Sequence, residues 1–178
     1  MISINFTSEQ LLEFYRGANE EGRRSIKEAL GETFSTVLPI TDRVQSYDDA
    51  VCELGKNHPY VEFAQKIASI YKEEAGEDVV AYLKLRVIVA ALNEGWNPNF
   101  TEKEIRYYPT FVMNKDINSE LPVVKVYVCK PVEESYNARQ NNPCLSFKSE
   151  HLAIYAAKTF TDIYGTLLCN NDLVYIGQ

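Results

Sequence analysis

The sequence predicts an α+β domain, with a helical N-terminal half, a three-stranded antiparallel sheet and a C-terminal helix packed on that sheet. Three observations lead there. Apolar residues recur at helical spacing through residues 8–94. Beyond Trp96 the period changes to two and Tyr, Val and Phe replace helix formers. An amphipathic run with a serine cap then returns near the end.

The elements follow in order. Ser8 is a candidate N-cap for a first helix carrying Leu11, Leu12 and Tyr15. Gly17 and Gly22 weaken this helix, which breaks before "RRSIKEALG", and Gly31 closes the second piece. "TFSTVLPITDRVQS" reads as a connector, with Pro39 and little periodicity. Ser46 caps "SYDDAVCELG", Asp48 and Asp49 suit its first turn, and Gly55 stops it. "NHPYVEFAQKIASIYKEEAG" reads as another helix or helical turn, closed near Gly76. The strongest runs from Asp78 to Glu94; its stripe of Val80, Leu83, Val87 and Ala91, widened by Val79, Ile88 and Leu92, implies contact on more than one side.

Three strands are expected at Ile105–Met113, Val123–Lys130 and Cys144–Lys148, the first two joined as a hairpin by "NKDINSELP". Ser149 caps the final helix to Leu168, and the tail "NNDLVYIGQ" is a candidate edge strand. Alternation places Tyr107, Phe111, Met113, Val124, Val126, Val128, Leu145 and Phe147 under that helix. The whole chain, 1–178, reads as one domain, with 1–95 helical and 96–178 holding the sheet and last helix. Pro109 cannot donate to a ladder, so its strand is expected at an edge or bulge, where a homodimer could form.

Charge limits the partners. The 178 residues carry 18 Lys and Arg against 25 Asp and Glu, a net charge of −7. Residues 1–104 hold 11 basic and 18 acidic side chains, and 105–178 hold seven of each. The acidity therefore lies wholly in the first part, which disfavours duplex DNA, whose binders carry a basic stripe. The N-terminus does not read as a signal peptide, and Lys84 and Arg86 interrupt the longest apolar run, so no membrane partner and a cytoplasmic location are expected.

Chemistry is sparse. Cys52, Cys129, Cys144 and Cys169 lack CxxC spacing; a Cys129–Cys144 bridge is conceivable, but free thiols are preferred. His58 and His151 complete no zinc pattern, the glycines form no phosphate loop, and neither metal nor cofactor is expected. Adjacent carboxylates such as Glu73 and Glu74 point apart on a helix. A Cys144–His151 pair lacks a third, orienting group, so a Cys-dependent hydrolase is the least favoured reading.

Two surfaces remain. Trp96, Tyr107 and Tyr108 gather near the helix-to-sheet corner and are candidates for contacting a protein partner, against the plainer reading of a plugged junction. Arg106, Tyr108, Lys125 and Tyr127 share the second sheet face, where rings and cations could hold single-stranded nucleic acid. Coverage of that face by the N-terminal helices is the plainer alternative.

"AYLKLRVIVAALNEGW", "RYYP" and "LSFKSEHLAIYAAKTFTDIY" together resemble a group of uncharacterised proteins from phages, prophages and mobile elements of gut bacteria. In that group a helix ending in "ALNEGW" leads to a tyrosine-rich strand, and "SYDDAVCELG" is similar to a short acidic helix. The likeness runs from about Thr41 to Leu168 and implies genomic context rather than an activity, a cofactor or a catalytic residue. It departs at "CKPVEESYNARQNNP", where the group is rich in Gly and aromatics. The expectation is a small non-enzymatic protein-interaction module, its partner unidentified.

Overall fold

The computed structural model describes residues 6–70, 76–98, 105–114, 123–128, 143–169 and 174–175. Helices α1 (Ser8–Gly17) and α2 (Glu20–Leu30) are followed by the single turns α3 (Phe34–Val37) and α4 (Ile40–Arg43). Then come α5 (Tyr47–Leu54), α6 (Pro59–Ile70), α7 (Glu77–Leu92), α8 (Glu150–Thr159) and α9 (Thr161–Cys169).

Local chemistry sets most of these limits. Thr7, one residue before the expected cap, starts α1 and exchanges hydrogen bonds with Gln10 in a capping box. Asn19 caps α2, and Ser46 caps α5, where Asp49 supplies both a backbone donor and a carboxylate partner. After α7 the backbone turns left-handed at Glu94 (φ 49°) and Gly95 (φ 85°). Glycine suits that conformation; Glu94 adopts it with its carboxylate held at both oxygens, by Arg43 and Lys148.

The predicted α+β class is overturned: the body is helical, with helix packed on helix. At its centre is α7, which buries Ala81, Leu83, Leu85, Val87, Ile88, Val89, Ala91 and Leu92. Residues 87–89 and 91–92 leave little of its circumference exposed, so it packs on several sides against α5, α6 and α9. Ala50 and Val51 from α5, Val61 and Ala64 from α6, and Leu152, Ala153, Ala156, Phe160 and Tyr164 complete the main core. A second, smaller core of Tyr15, Phe34 and Leu38 lies under α1 and α2.

The expected three-stranded antiparallel sheet is the part that fails. Cys144–Lys148 is not a strand: Pro143–Leu145 forms a 3-10 turn, and a lone bridge joins Phe147 to Tyr107. The physical reason is Asn93, buried at the end of α7. Its amide donates to the Ser146 carbonyl (2.8 Å) and its oxygen accepts from the Lys148 N–H (3.1 Å). Those backbone groups are therefore already satisfied by a side chain and are not offered to a ladder. Extended segments β1 (Pro109–Asn114) and β2 (Val123–Val128) pair antiparallel, with Phe111 opposite Val126, but β3 is the tail Val174–Tyr175, parallel to β2. Phe111 of β1 packs at the edge of the core on Tyr164 (ring centroids 4.8 Å).

The last helix also differs from expectation. It breaks at Phe160, because the Thr161 hydroxyl lies 2.6 Å from the Ala157 carbonyl and 3.0 Å from that of Lys158, competing with the helical ladder. Tyr155 fastens α8 to the connector, its hydroxyl 2.6 and 2.7 Å from the carbonyls of Thr41 and Val44. Among the described helices none is long and apolar enough to cross a membrane.

Tyr164 carries a buried hydroxyl without a hydrogen-bond partner, and burial pushes its pKa up. A buried unmade hydrogen bond costs about 1–3 kcal/mol. Tyr164→Phe is therefore expected to raise the urea midpoint rather than lower it, with the m-value unchanged.

Candidate functional site

Among the described residues two concave regions compete for the role, and their chemistry separates them. The larger, about 550 Å³, lies between α2 and α5 and is lined by Glu20, Glu21, Arg23, Arg24, Lys27 and Glu53 among others. Its innermost charges are already used. Arg23 donates to the carbonyls of Ala18 (3.1 Å) and Arg16 (2.8 Å) and lies over the Tyr15 ring. Arg24 faces Glu28, and Lys27 donates to Glu53 (2.6 Å).

Glu53 is the centre of this cluster. It accepts from Tyr15 Oη (2.6 Å), Lys27 and Arg43. Arg43, with its side chain fully buried, donates through all three nitrogens: to Leu38 O (2.8 Å), to Glu53, and to Glu94 (2.5 Å). Its guanidinium also lies over Phe34, 4.5 Å from the ring centroid. Glu53, with three donors, and Arg43, with every nitrogen engaged, are committed to the fold. The cluster instead joins the small N-terminal core to α5 and to the end of α7.

Burial raises the pKa of Glu53, but the Arg43 charge and the Lys27 and Tyr15 hydrogen bonds outweigh it and hold the carboxyl below its ordinary value. A depressed folded pKa stabilises above the unfolded value, near 4.3, and that stability is lost as pH falls through the folded value. Stability should therefore decline on acidification below about pH 5. Glu53→Gln should be less stable at pH 7 and flatter across the acid range, as urea melts at several pH values would show.

The smaller groove, about 210 Å³, lies where α7, the turn after it and the 3-10 turn meet. Tyr60, Arg86, Asn93, Trp96, Asn97, Pro98, Cys144 and Ser146 line it, with Val89 and Ala90 beneath. Arg86 stacks on Tyr60 at 4.3 Å from the ring centroid, and its Nε is buried with no hydrogen-bond partner. Burial lowers the Arg86 pKa, but Cys144, Tyr82 and Tyr60 more than offset this and hold it above its ordinary value. Among the described residues no carboxylate lines the groove, and none of their ion pairs involves Arg86. Here a charge is only partly satisfied.

The sequence-predicted residues divide accordingly. Trp96 is half-buried and forms a wall of the groove. Tyr107 packs against the main core and bridges to Phe147, so much of its ring is committed to the fold. Tyr108 and Arg106 are half-buried beside it. Lys125 and Tyr127 stand opposite Val112 and Thr110 in the β1–β2 register, and their side chains lie outside the described residues. The nucleic-acid face loses its third strand, because Ser146 is buried and turned to Asn93.

Cys144 is exposed and lines the groove; Cys52 is free and exposed in the larger cleft, and Cys129 falls outside the described residues. His151 is exposed on α8, while His58 Nδ1 accepts the Tyr60 N–H (3.2 Å) at the start of α6. Among the described residues no group of His, Cys, Asp and Glu could hold a metal. Sequence reasoning did not single out Arg86 or Tyr60. The available signal was Arg86 itself, a cation midway along a helix otherwise apolar on most sides.

Compared with known families, curated proteins and solved structures, the chain matches none.

Proposed function

We propose that this chain is a small non-enzymatic protein-interaction module of phage or mobile-element origin, and that it contacts its partner through the groove at Trp96. The origin rests on the resemblance of "ALNEGW", "RYYP" and "LSFKSEHLAIYAAKTFTDIY" alone. The binding reading rests on one observation: Trp96 and the Tyr60–Arg86 pair line a groove to which no described carboxylate contributes. Trp, Tyr and Arg are the residue types that dominate binding energy at protein interfaces, because they combine large area with directed polar groups. Asn93 makes the floor firm by pinning the segment that carries Ser146.

Affinity capture from lysates of gut bacteria tests the reading. A specific partner should be retained by the native chain and lost with Trp96→Ala, at a cost of about 2 kcal/mol or more in affinity. Far-UV circular dichroism of the variant should be unchanged. Equal recovery by both chains, or turnover in a broad substrate screen, would overturn it.

A further inference from the structure

The partly satisfied charge narrows what the groove accepts. Arg86 lines the groove with its guanidinium carbon over the Tyr60 ring and a hydrogen bond to Tyr82, while its Nε is buried without a partner. The ring and Tyr82 do not use all five N–H donors of the guanidinium, and a carboxylate is the acceptor best matched to those that remain. The remaining polar floor is occupied: both ends of the Asn93 amide are used, and the Asn97 amide donates to Gly95 O (3.3 Å). At about 210 Å³ the groove falls below the roughly 300–1,000 Å³ of small-molecule sites, and so suits a single side chain.

We infer that the groove receives an acidic side chain, Asp or Glu, from a partner protein, with the carboxylate on Arg86 and the flanking apolar surface against Trp96. This deepens the protein-binding reading and rests on it. A chain-terminal carboxylate is the poorer fit, because such groups are held by clustered free backbone N–H donors. At the adjoining turn the Glu94 and Trp96 N–H groups donate to Ala91 O (3.1 Å) and Asn93 O (3.0 Å) and are not free. The net charge of −7 supplies no long-range attraction for an acid, so selection must come from this local contact.

Trp96 is the single tryptophan, so its emission reports the groove directly. The probe is a capped pentapeptide with a central Glu between apolar residues, compared with the same peptide carrying Gln. The Glu peptide should change the emission saturably, and the Gln peptide should bind at least about tenfold more weakly, the scale of one charge-assisted hydrogen-bond pair. The Glu peptide should also slow alkylation of Cys144 while leaving Cys52, in the other cleft, at its free rate. Arg86→Gln should abolish the preference and Arg86→Lys should retain part of it. The comparison of the two peptides on the native chain holds even if a variant folds poorly. Equal binding of the two peptides, binding of neither, or a preference that survives Arg86→Gln in a folded chain would overturn the inference. Partner capture that still depends on Trp96 would then leave the broader reading standing; capture independent of Trp96 would remove that reading instead.

Discussion

Arg43→Ala is expected to lower stability by about 3–5 kcal/mol, the range for removing one partner of a buried ion pair. The side chain is fully buried, and the loss is felt at four places, one of them Glu94, which keeps only Lys148. Glu53, with only 7% of its side chain exposed, keeps its charge with Lys27 and Tyr15 as the remaining donors. Leu38 O loses its donor, and Phe34 loses the cation above its ring. Because Leu38 and Phe34 belong to the small core under α1 and α2, that core should loosen first. Hydrogen exchange should therefore show the largest gain in α1 and α2, with α7 protected until global unfolding. Arg43→Lys should not restore the native value, since an ammonium cannot supply the planar set of donors that reaches Leu38, Glu53 and Glu94 together.

Phe160→Ala is expected to cost about 3–5 kcal/mol, the usual range for deleting a buried aromatic side chain. Phe160 is 2% exposed, sits at the break between α8 and α9, and meets Tyr155 edge-on at 6.4 Å between ring centroids. Removing it would open a cavity beside Tyr155, which is also the side chain fastening α8 to the connector. Against a typical domain stability of about 5–15 kcal/mol, the variant should be marginal. Exposed Lys158 offers the contrast: Lys158→Ala should shift stability by no more than about 0.5 kcal/mol. Urea midpoints of the two variants, compared at equal m-values, decide the matter. Equal midpoints would mean that the wrong face of this helix has been assigned to the core.

Phe160 shows what was legible in the chain and what was not. The helical spacing centres the apolar face on Leu152, Ala156, Ile163 and Leu167 with Phe160 flanking, whereas Phe160 is buried and Ile163 and Leu167 are only partly so. The helix break beside it does not follow, since a threonine hydroxyl turning back on its own helix leaves no periodic trace. Caps at Ser46 and Ser149 and stops at Gly31 and Gly55 were readable because each is a local backbone requirement.

Misreadings cluster where a long-range contact replaces local regularity. "TFSTVLPITDRVQS" lacks periodicity because it folds as two single turns around Pro39, yet it delivers Phe34, Leu38, Ile40, Arg43 and Val44 to buried positions. Leu145 and Phe147 alternate as a strand would, but Ser146 between them is buried too. Asn93, more than fifty positions earlier, has taken the backbone groups that a neighbouring strand would need. Trp96 was identified as a binding candidate from its loop. Its companions Tyr60 and Arg86 were not, since only the packing of α6 on α7 brings them together.

A double-mutant cycle in urea on Arg43→Met and Glu53→Leu addresses most directly whether one buried charge cluster binds the two cores into a single body. The guanidinium bonded to Glu53 also touches Phe34 of the small core and Glu94 at the end of α7. The double variant should lose less than the two single losses summed, by about 1–3 kcal/mol, because removing both charges leaves neither of this pair stranded. Losses that add to within about 0.5 kcal/mol would show that the two side chains act independently, and would contradict the coupling of the two cores through this cluster.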